Sequence, residues 1–155
     1  MRKPIAIRRQ HAIAAHPVFQ ALNREPAAPA ELASIQAGEL LALDDLARGV
    51  ATERATQDLI DMLLTAGALG RMGIGPEVLP LLGGALGLAL RLHAGPKPAR
   101  LEGPGLALLR QVRDLHDQQR RIASRAELVR AGLEAMGQLA AATRRAAGSS
   151  TSTTR

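Results

Sequence analysis

The most regular pattern of hydrophobic positions lies in the last third of the chain. Between residues 108 and 143 these positions alternate by four and three residues, and nine of the eleven are apolar if alanine is counted. They are Leu108, Val112, Leu115, Gln119, Ile122, Ala126, Val129, Leu133, Met136, Ala140 and Thr143. Such a seam over about five heptads is typical of a helix that packs against another helix in a coiled coil. It predicts a long helix over residues 104–146, and Gln119 on the seam would favour one register in a pair of helices.

A second pattern inside this region offers an alternative to one long helix. Ser124 and Glu127 have the spacing of a capping box, in which each side chain bonds the backbone N–H of the other at a helix start. A fresh helix from Ser124 would fold residues 104–146 into a helical hairpin. Because neither Gly nor Pro occurs between residues 106 and 131, the continuous or gently kinked helix is favoured.

Residues 29–93 are predicted to form a compact helical core. Pro29 opens a helix with apolar residues near helical spacing, and Gly49 lies near its end. Thr52 is suited to cap the next helix, which has a wide apolar face. The residues of that face are Leu59, Ile60, Met62, Leu63 and Leu64. The glycine-rich stretch 70–77 lacks the pattern of a phosphate-binding loop and is interpreted as the end of this helix.

The uncharged stretch 78–90 raises the question of a membrane span. Thirteen helical residues cover roughly 20 Å, whereas the hydrocarbon core of a bilayer is about 30 Å thick. Pro80 also interrupts helical hydrogen bonding unless the helix begins there. We therefore expect no membrane span and a buried helix over residues 80–93. Gly83 and Gly87 lie four residues apart, a spacing that lets two helices approach closely, so we expect this face to pack on the preceding helix.

Three further segments complete the predicted organisation. Residues 1–28 are expected to form a basic N-terminal arm and a short helix that Pro17 begins. Residues 94–103 are a linker rich in Pro and Gly, and residues 147–155 are a polar tail expected to be disordered. Together these patterns predict an all-α protein of about five helices, with a compact helical core followed by the heptad-patterned region.

The charge is strongly basic but unevenly distributed. The net charge is +6 and the isoelectric point is about 11.3, and only two of the twenty basic residues are lysines. Residues 1–25 carry a net charge of +4, residues 26–70 carry −5 and residues 102–155 carry +4. An acidic middle between basic ends suits self-association as well as it suits phosphate binding.

A nucleic-acid surface is the alternative that the basic arm suggests. The candidate phosphate-contacting residues are Arg2, Lys3, Arg8 and Arg9, and Arg120, Arg121 and Arg125 could join them. Such an arm neutralises phosphates without selecting a base sequence. Phe19 is the only aromatic residue, so the chain lacks the stacking platforms on which single strands are usually held.

No set of residues has the pattern of a catalytic or metal site. The chain has no cysteine, which excludes disulfides and thiolate ligands. Asp114, His116 and Asp117 form the one cluster of a histidine with carboxylates. Arginines at the i, i+4 spacing compete for those carboxylates, so the cluster is interpreted as a solvated charged face beside the seam. We expect no enzyme activity, no cofactor and no metal.

Three patches of the chain resemble a group of known proteins. The stretches RRQHAIAAHPVFQALNR (8–24), RMGIGPE (71–77) and LEGPGLALLRQVRDLHDQQ (101–119) are similar to small, uncharacterised proteins of phages and prophages of GC-rich proteobacteria. The resemblance implies a bacterial host cytoplasm and no particular activity.

The expected function is that of a non-enzymatic interaction or regulatory protein. It would self-associate or bind a partner protein through residues 104–146. The alternative is a nucleic-acid-binding accessory protein that uses the basic arm.

Overall fold

The computed structural model describes residues 29–149, which form five α-helices and no strand. The helices are α1 Pro29–Arg48, α2 Glu53–Arg71, α3 Leu79–Ala94, α4 Gly103–Ile122 and α5 Arg125–Ser149, with a short 3-10 helix Pro76–Val78 before α3. The predicted all-α fold of about five helices is therefore confirmed. The predicted arm, including Arg2, Lys3, Arg8 and Arg9, lies outside the described residues. Residues 150–155 of the predicted tail also lie outside the described residues. The first three residues of that tail, 147–149, continue α5.

Helix α2 is the centre of the fold, and each of the other four helices packs against it. Thr52 caps its start as predicted, because its hydroxyl accepts a hydrogen bond from the Ala55 amide at 3.2 Å. Leu59, Ile60 and Leu63 are at most 1% exposed. Toward its C-terminal end α2 is buried all round, from Ala66 to Gly70. A helical stretch without a solvated face is expected at the middle of a helical core.

Helix α3 lies close to α2 because two glycines of α2 leave room for its side chains. A Cβ atom at Gly67 would lie 3.0 Å from Leu82 Cδ1, and one at Gly70 would lie 2.9 Å from Leu79 Cδ2. The Gly70 distance is shorter than real Cβ contacts, so alanine at Gly70 would require the side chain of Leu79 to shift.

The face of α3 that meets the core is not the predicted one. A Cβ at Gly83 would meet nothing within 4 Å, and one at Gly87 would meet only Arg91 of the same helix. The buried residues of α3 are Ala85 and Ala89, which have the same spacing of four but lie about 200° further round the helix. The prediction that Gly83 and Gly87 pack on α2 is therefore wrong. Helix α3 has two faces of small residues, one with Gly83 and Gly87 and one with Ala85 and Ala89. The spacing within the helix does not indicate which of the two faces is buried.

Helix α3 is also much less buried than expected. Leu79 and Leu90 are 37% and 47% exposed, and only 17% of the apolar stretch from Pro76 to Ala94 is buried. By length and composition this stretch, with a mean hydropathy of 1.2, is the one segment of residues 29–149 that could cross a membrane. Core helices and signal sequences can meet the same criteria, so the finding is weak evidence for a span.

The predicted linker 94–103 is fixed to the core rather than loose. Ala99 exchanges two backbone hydrogen bonds with Ala51, at 2.8 and 3.3 Å, and the Leu101 amide bonds the Leu46 carbonyl at 3.0 Å. The Lys97 ammonium bonds three backbone carbonyls at the end of α3, at 2.7, 2.8 and 3.0 Å. A cation at this position satisfies carbonyls that have no partner within the helix and complements the helix dipole.

The heptad-patterned region breaks at Ala123. The capping box forms as its spacing predicts: Glu127 accepts a bond from the Ser124 amide at 2.7 Å, and Ser124 Oγ accepts one from the Glu127 amide at 3.3 Å. The favoured prediction of a continuous helix over residues 104–146 is therefore wrong, because Ala123 takes an extended conformation. Helix α5 packs on α2 rather than back along α4, so the hairpin alternative does not describe the region either.

Candidate interaction surface

A buried ion pair joins α1 to α4. The Arg120 guanidinium donates to both carboxylate oxygens of Glu39, with 2.8 Å from Nη1 to Oε2. Both side chains are 5% exposed. Two parallel bonds between an arginine and a carboxylate fix the relative position of the two groups as well as pairing their charges. Arg120 is therefore unavailable to join a phosphate-binding surface as the sequence suggested, whereas Arg121 is 74% exposed.

Gln119 connects α4 to the end of α2 and the loop after it. Its Nε2 donates to the carbonyls of Ala66, Ile74 and Gly75 at 3.1, 2.7 and 3.1 Å. Its Oε1 lies 2.9 Å from His116 Nδ1. Because an amide oxygen only accepts, His116 carries its proton on Nδ1. In this fold Gln119 therefore fixes α4 against α2 and the loop after it, whereas the seam predicted a role in the register of a pair of long helices.

His116 is fully buried, in contrast to the solvated face expected for its cluster. Burial is the main cause that lowers the pKa of its imidazole to about 3, and the charges of Arg120 and Arg113 lower the pKa further. Its Nε2 atom has no hydrogen-bond partner. Two of the three ion pairs expected at the i, i+4 spacing form, because Asp117 lies 3.8 Å from Arg113 and 3.5 Å from Arg121. Asp114, expected to pair with Arg110, instead lies 3.3 Å from the adjacent Arg113. Among the described residues no group of three or more His, Asp or Glu side chains could hold a metal.

Replacing Gln119 by leucine is expected to lower the free energy of unfolding by about 1–3 kcal/mol, because the buried carbonyls would lose their donor. Urea denaturation followed by circular dichroism measures the effect. Gln111→Leu is the matched control, since Gln111 is exposed on the same helix and should stay within about 0.5 kcal/mol of wild type. Equal effects of the two substitutions would contradict this role of Gln119.

The break at Ala123 divides the predicted seam into a buried half and an exposed half. Val112, Leu115 and Gln119 are buried in the core, and Leu108 packs against it. Ile122, the last residue of α4 before the break, is already 37% exposed. The positions in the first half of the seam therefore do pack against other helices, as predicted. Those helices belong to the same chain.

The exposed half forms an apolar surface along α5. Val129, Leu133 and Met136 are 57%, 64% and 69% exposed, and Ala140 is exposed one turn later. We call these four residues the α5 stripe. The buried face of the helix lies on its opposite side and includes Ala131 and Ala135. Helix α5 therefore has two apolar faces, and the fold covers one of them.

Basic residues border the α5 stripe. Arg125, Arg130 and Arg144 occupy positions beside the seam, and no acidic residue does so. Glu134, on the other side of the helix, bonds Arg71 of α2 at 2.7 Å. The stripe is consequently an apolar surface with a positively charged edge.

Comparison with known proteins finds no match: no family model, no curated protein and no solved structure is similar to the chain. The geometry of the described residues is therefore the basis for assigning a function.

Proposed function

We propose that the protein is a non-enzymatic helical interaction protein that self-associates through the second half of the predicted seam, the α5 stripe. The observation that carries the proposal is the exposure of Val129, Leu133 and Met136 at heptad spacing, on the side of α5 opposite its buried face. Large apolar residues at this spacing are the contacts that helices use to pack together. A contiguous apolar surface of this kind typically marks an interaction site.

The local context makes α5 suitable for such a contact. The capping box holds its first turn, and its buried face and the Glu134–Arg71 pair anchor it to α2. The stripe is thus presented on a helix that the rest of the fold already orders. Less conformational entropy is then lost on association than if the helix formed only in the complex.

Self-association is testable by the change Leu133→Glu. Burial of a leucine side chain contributes about 1.5–3 kcal/mol, so the change is expected to weaken association roughly 10- to 100-fold. Light scattering across a concentration series measures it: wild type should exceed 16.3 kDa, and the variant should remain at that mass. Leu90→Glu is the control, because Leu90 is similarly exposed but lies on α3. A wild-type mass of 16.3 kDa at every concentration would contradict the proposal.

The nucleic-acid-binding accessory function remains the second candidate. The sequence supports it with a net charge of +4 over residues 1–25. Binding to random duplex DNA or RNA that decreases with salt and is lost on deletion of residues 1–9 would favour it. We propose that either function operates in a bacterial host cytoplasm, which is what the three patches of sequence resemblance imply.

A further inference from the structure

We infer that the partner of the α5 stripe is the outer face of α1 in a second copy of the chain, so that the contact is head-to-tail. The inference rests on the proposed self-association and specifies its geometry. The outer face of α1, called here the α1 face, comprises Ala33, Ala37, Leu40, Leu41 and Asp44, all of which are exposed.

The α1 face has the apolar pattern that the α5 stripe requires. Ala33, Ala37 and Leu40 follow one another at spacings of four and three residues, the same alternation as in the stripe, and the charged Asp44 occupies the next position of the series. Leu40 and Leu41 are 50% and 57% exposed. Two helices with matching spacings can interdigitate their side chains, and the alanines let the two backbones approach. Both surfaces are exposed in one chain, so neither covers the other.

Charge distinguishes this pairing from a symmetric contact between two α5 stripes. Arg125, Arg130 and Arg144 border the stripe without an acidic residue, so two copies of α5 would bring like charges together and offer no opposite charge. On α1, Asp44 and Asp45 share one arginine, Arg48, at 3.0 and 2.7 Å. Glu39 also lies on α1 but is buried and paired with Arg120, so the exposed acidic charge beside the α1 face is that of Asp44 and Asp45, which Arg48 balances only in part. The basic edge of α5 is thus complementary to these carboxylates in a second molecule.

A head-to-tail contact has a consequence for the assembly. Each molecule that uses its α5 stripe still exposes its α1 face, so the contact repeats until a ring closes or a filament grows. A symmetric contact between two stripes would instead stop at the dimer. The charge contribution also predicts that association weakens as salt increases.

The decisive experiment mixes two variants that damage opposite surfaces. Leu133→Glu places a negative charge in the middle of the α5 stripe. Leu41→Lys places a positive charge on the α1 face, where it would meet the basic edge of α5 from the second copy. Each variant alone is expected to stay at 16.3 kDa in light scattering. An equimolar mixture is expected to form a species of twice that mass and nothing larger, because it contains one intact pair of surfaces. Circular dichroism of each variant checks that the fold is retained, and Leu90→Glu is the surface control.

The outcomes separate this inference from the function on which it rests. If Leu41→Lys associates like wild type while Leu133→Glu does not, the stripe is the contact but its partner is not α1, and the inference is overturned alone. If two monomeric variants fail to form the dimer on mixing, the head-to-tail geometry is again overturned. If wild type is monomeric at all concentrations, both the proposed function and the inference fail.

Discussion

Replacing Arg120 by alanine is expected to lower the free energy of unfolding by about 3–5 kcal/mol, which is a large part of the stability of a domain of this size. The loss arises because the Glu39 side chain, only 5% exposed in the folded protein, would have no cation to compensate its charge. Urea denaturation at neutral pH, followed by circular dichroism, measures the effect. Arg121→Ala is the matched control: Arg121 is 74% exposed and should contribute about 0–1 kcal/mol.

A double replacement tests whether the penalty comes from the unpaired carboxylate. The variant Glu39→Leu with Arg120→Met removes both charges and fills the space with apolar side chains. It should be more stable than either single variant, because no charge is left buried alone. Additive effects of the two substitutions would contradict a direct pairing of Glu39 with Arg120.

Acidification is expected to destabilise the protein through His116 well above the pH at which carboxylates titrate. In the unfolded chain this imidazole takes up a proton near its ordinary pKa of 6.5, whereas in the folded protein burial first, and then the charges of Arg120 and Arg113, lower the pKa to about 3. Between these values the unfolded state binds more protons, so stability is lost as the pH falls from 6.5 toward 3. The slope from this single group is about 1.4 kcal/mol per pH unit.

Urea denaturation at several pH values between 7 and 4.5 measures this dependence. The comparison variant is His116→Asn, which retains a donor for Gln119 Oε1 but has no group that titrates in this range. The free energy of unfolding of the variant should change less with pH between 6.5 and 5, even if the variant is less stable throughout. Parallel curves for the two proteins in that interval would show that His116 is not excluded from protonation in the folded state.

The predicted features that the structure confirms depend on residues close together in sequence. Thr52 caps α2 through an amide three residues away, and Ser124 and Glu127 form their capping box over the same distance. These bonds need only the local backbone of a helix start, so residue type and spacing are sufficient to predict them. The favoured continuous helix is wrong because Ser124 and Glu127 begin a new helix, although neither Gly nor Pro interrupts residues 106–131.

The errors concern which face of a helix meets which neighbour. Gly83 and Gly87 have the same spacing as Ala85 and Ala89, and only the position of α2 decides that the alanines are buried. Periodicity establishes that a helix has an apolar stripe, but not whether the covering helix belongs to the same chain. One half of the heptad seam therefore enters the core, whereas the other half remains exposed.

The helical class, the caps at Thr52 and Ser124 and the spacing of the seam positions follow from the sequence alone, because they depend on local backbone geometry and on spacings within one helix. The pairing of Glu39 with Arg120 follows from the three-dimensional packing, since the two residues are 81 positions apart and neither has a local signal for the other. The same packing brings Gln119 to the carbonyls at the end of α2, and it leaves the α5 stripe exposed, with no other described residue packed over it. These features arise from the packing of helices that are distant in sequence, and spacing within one segment carries no information about that packing.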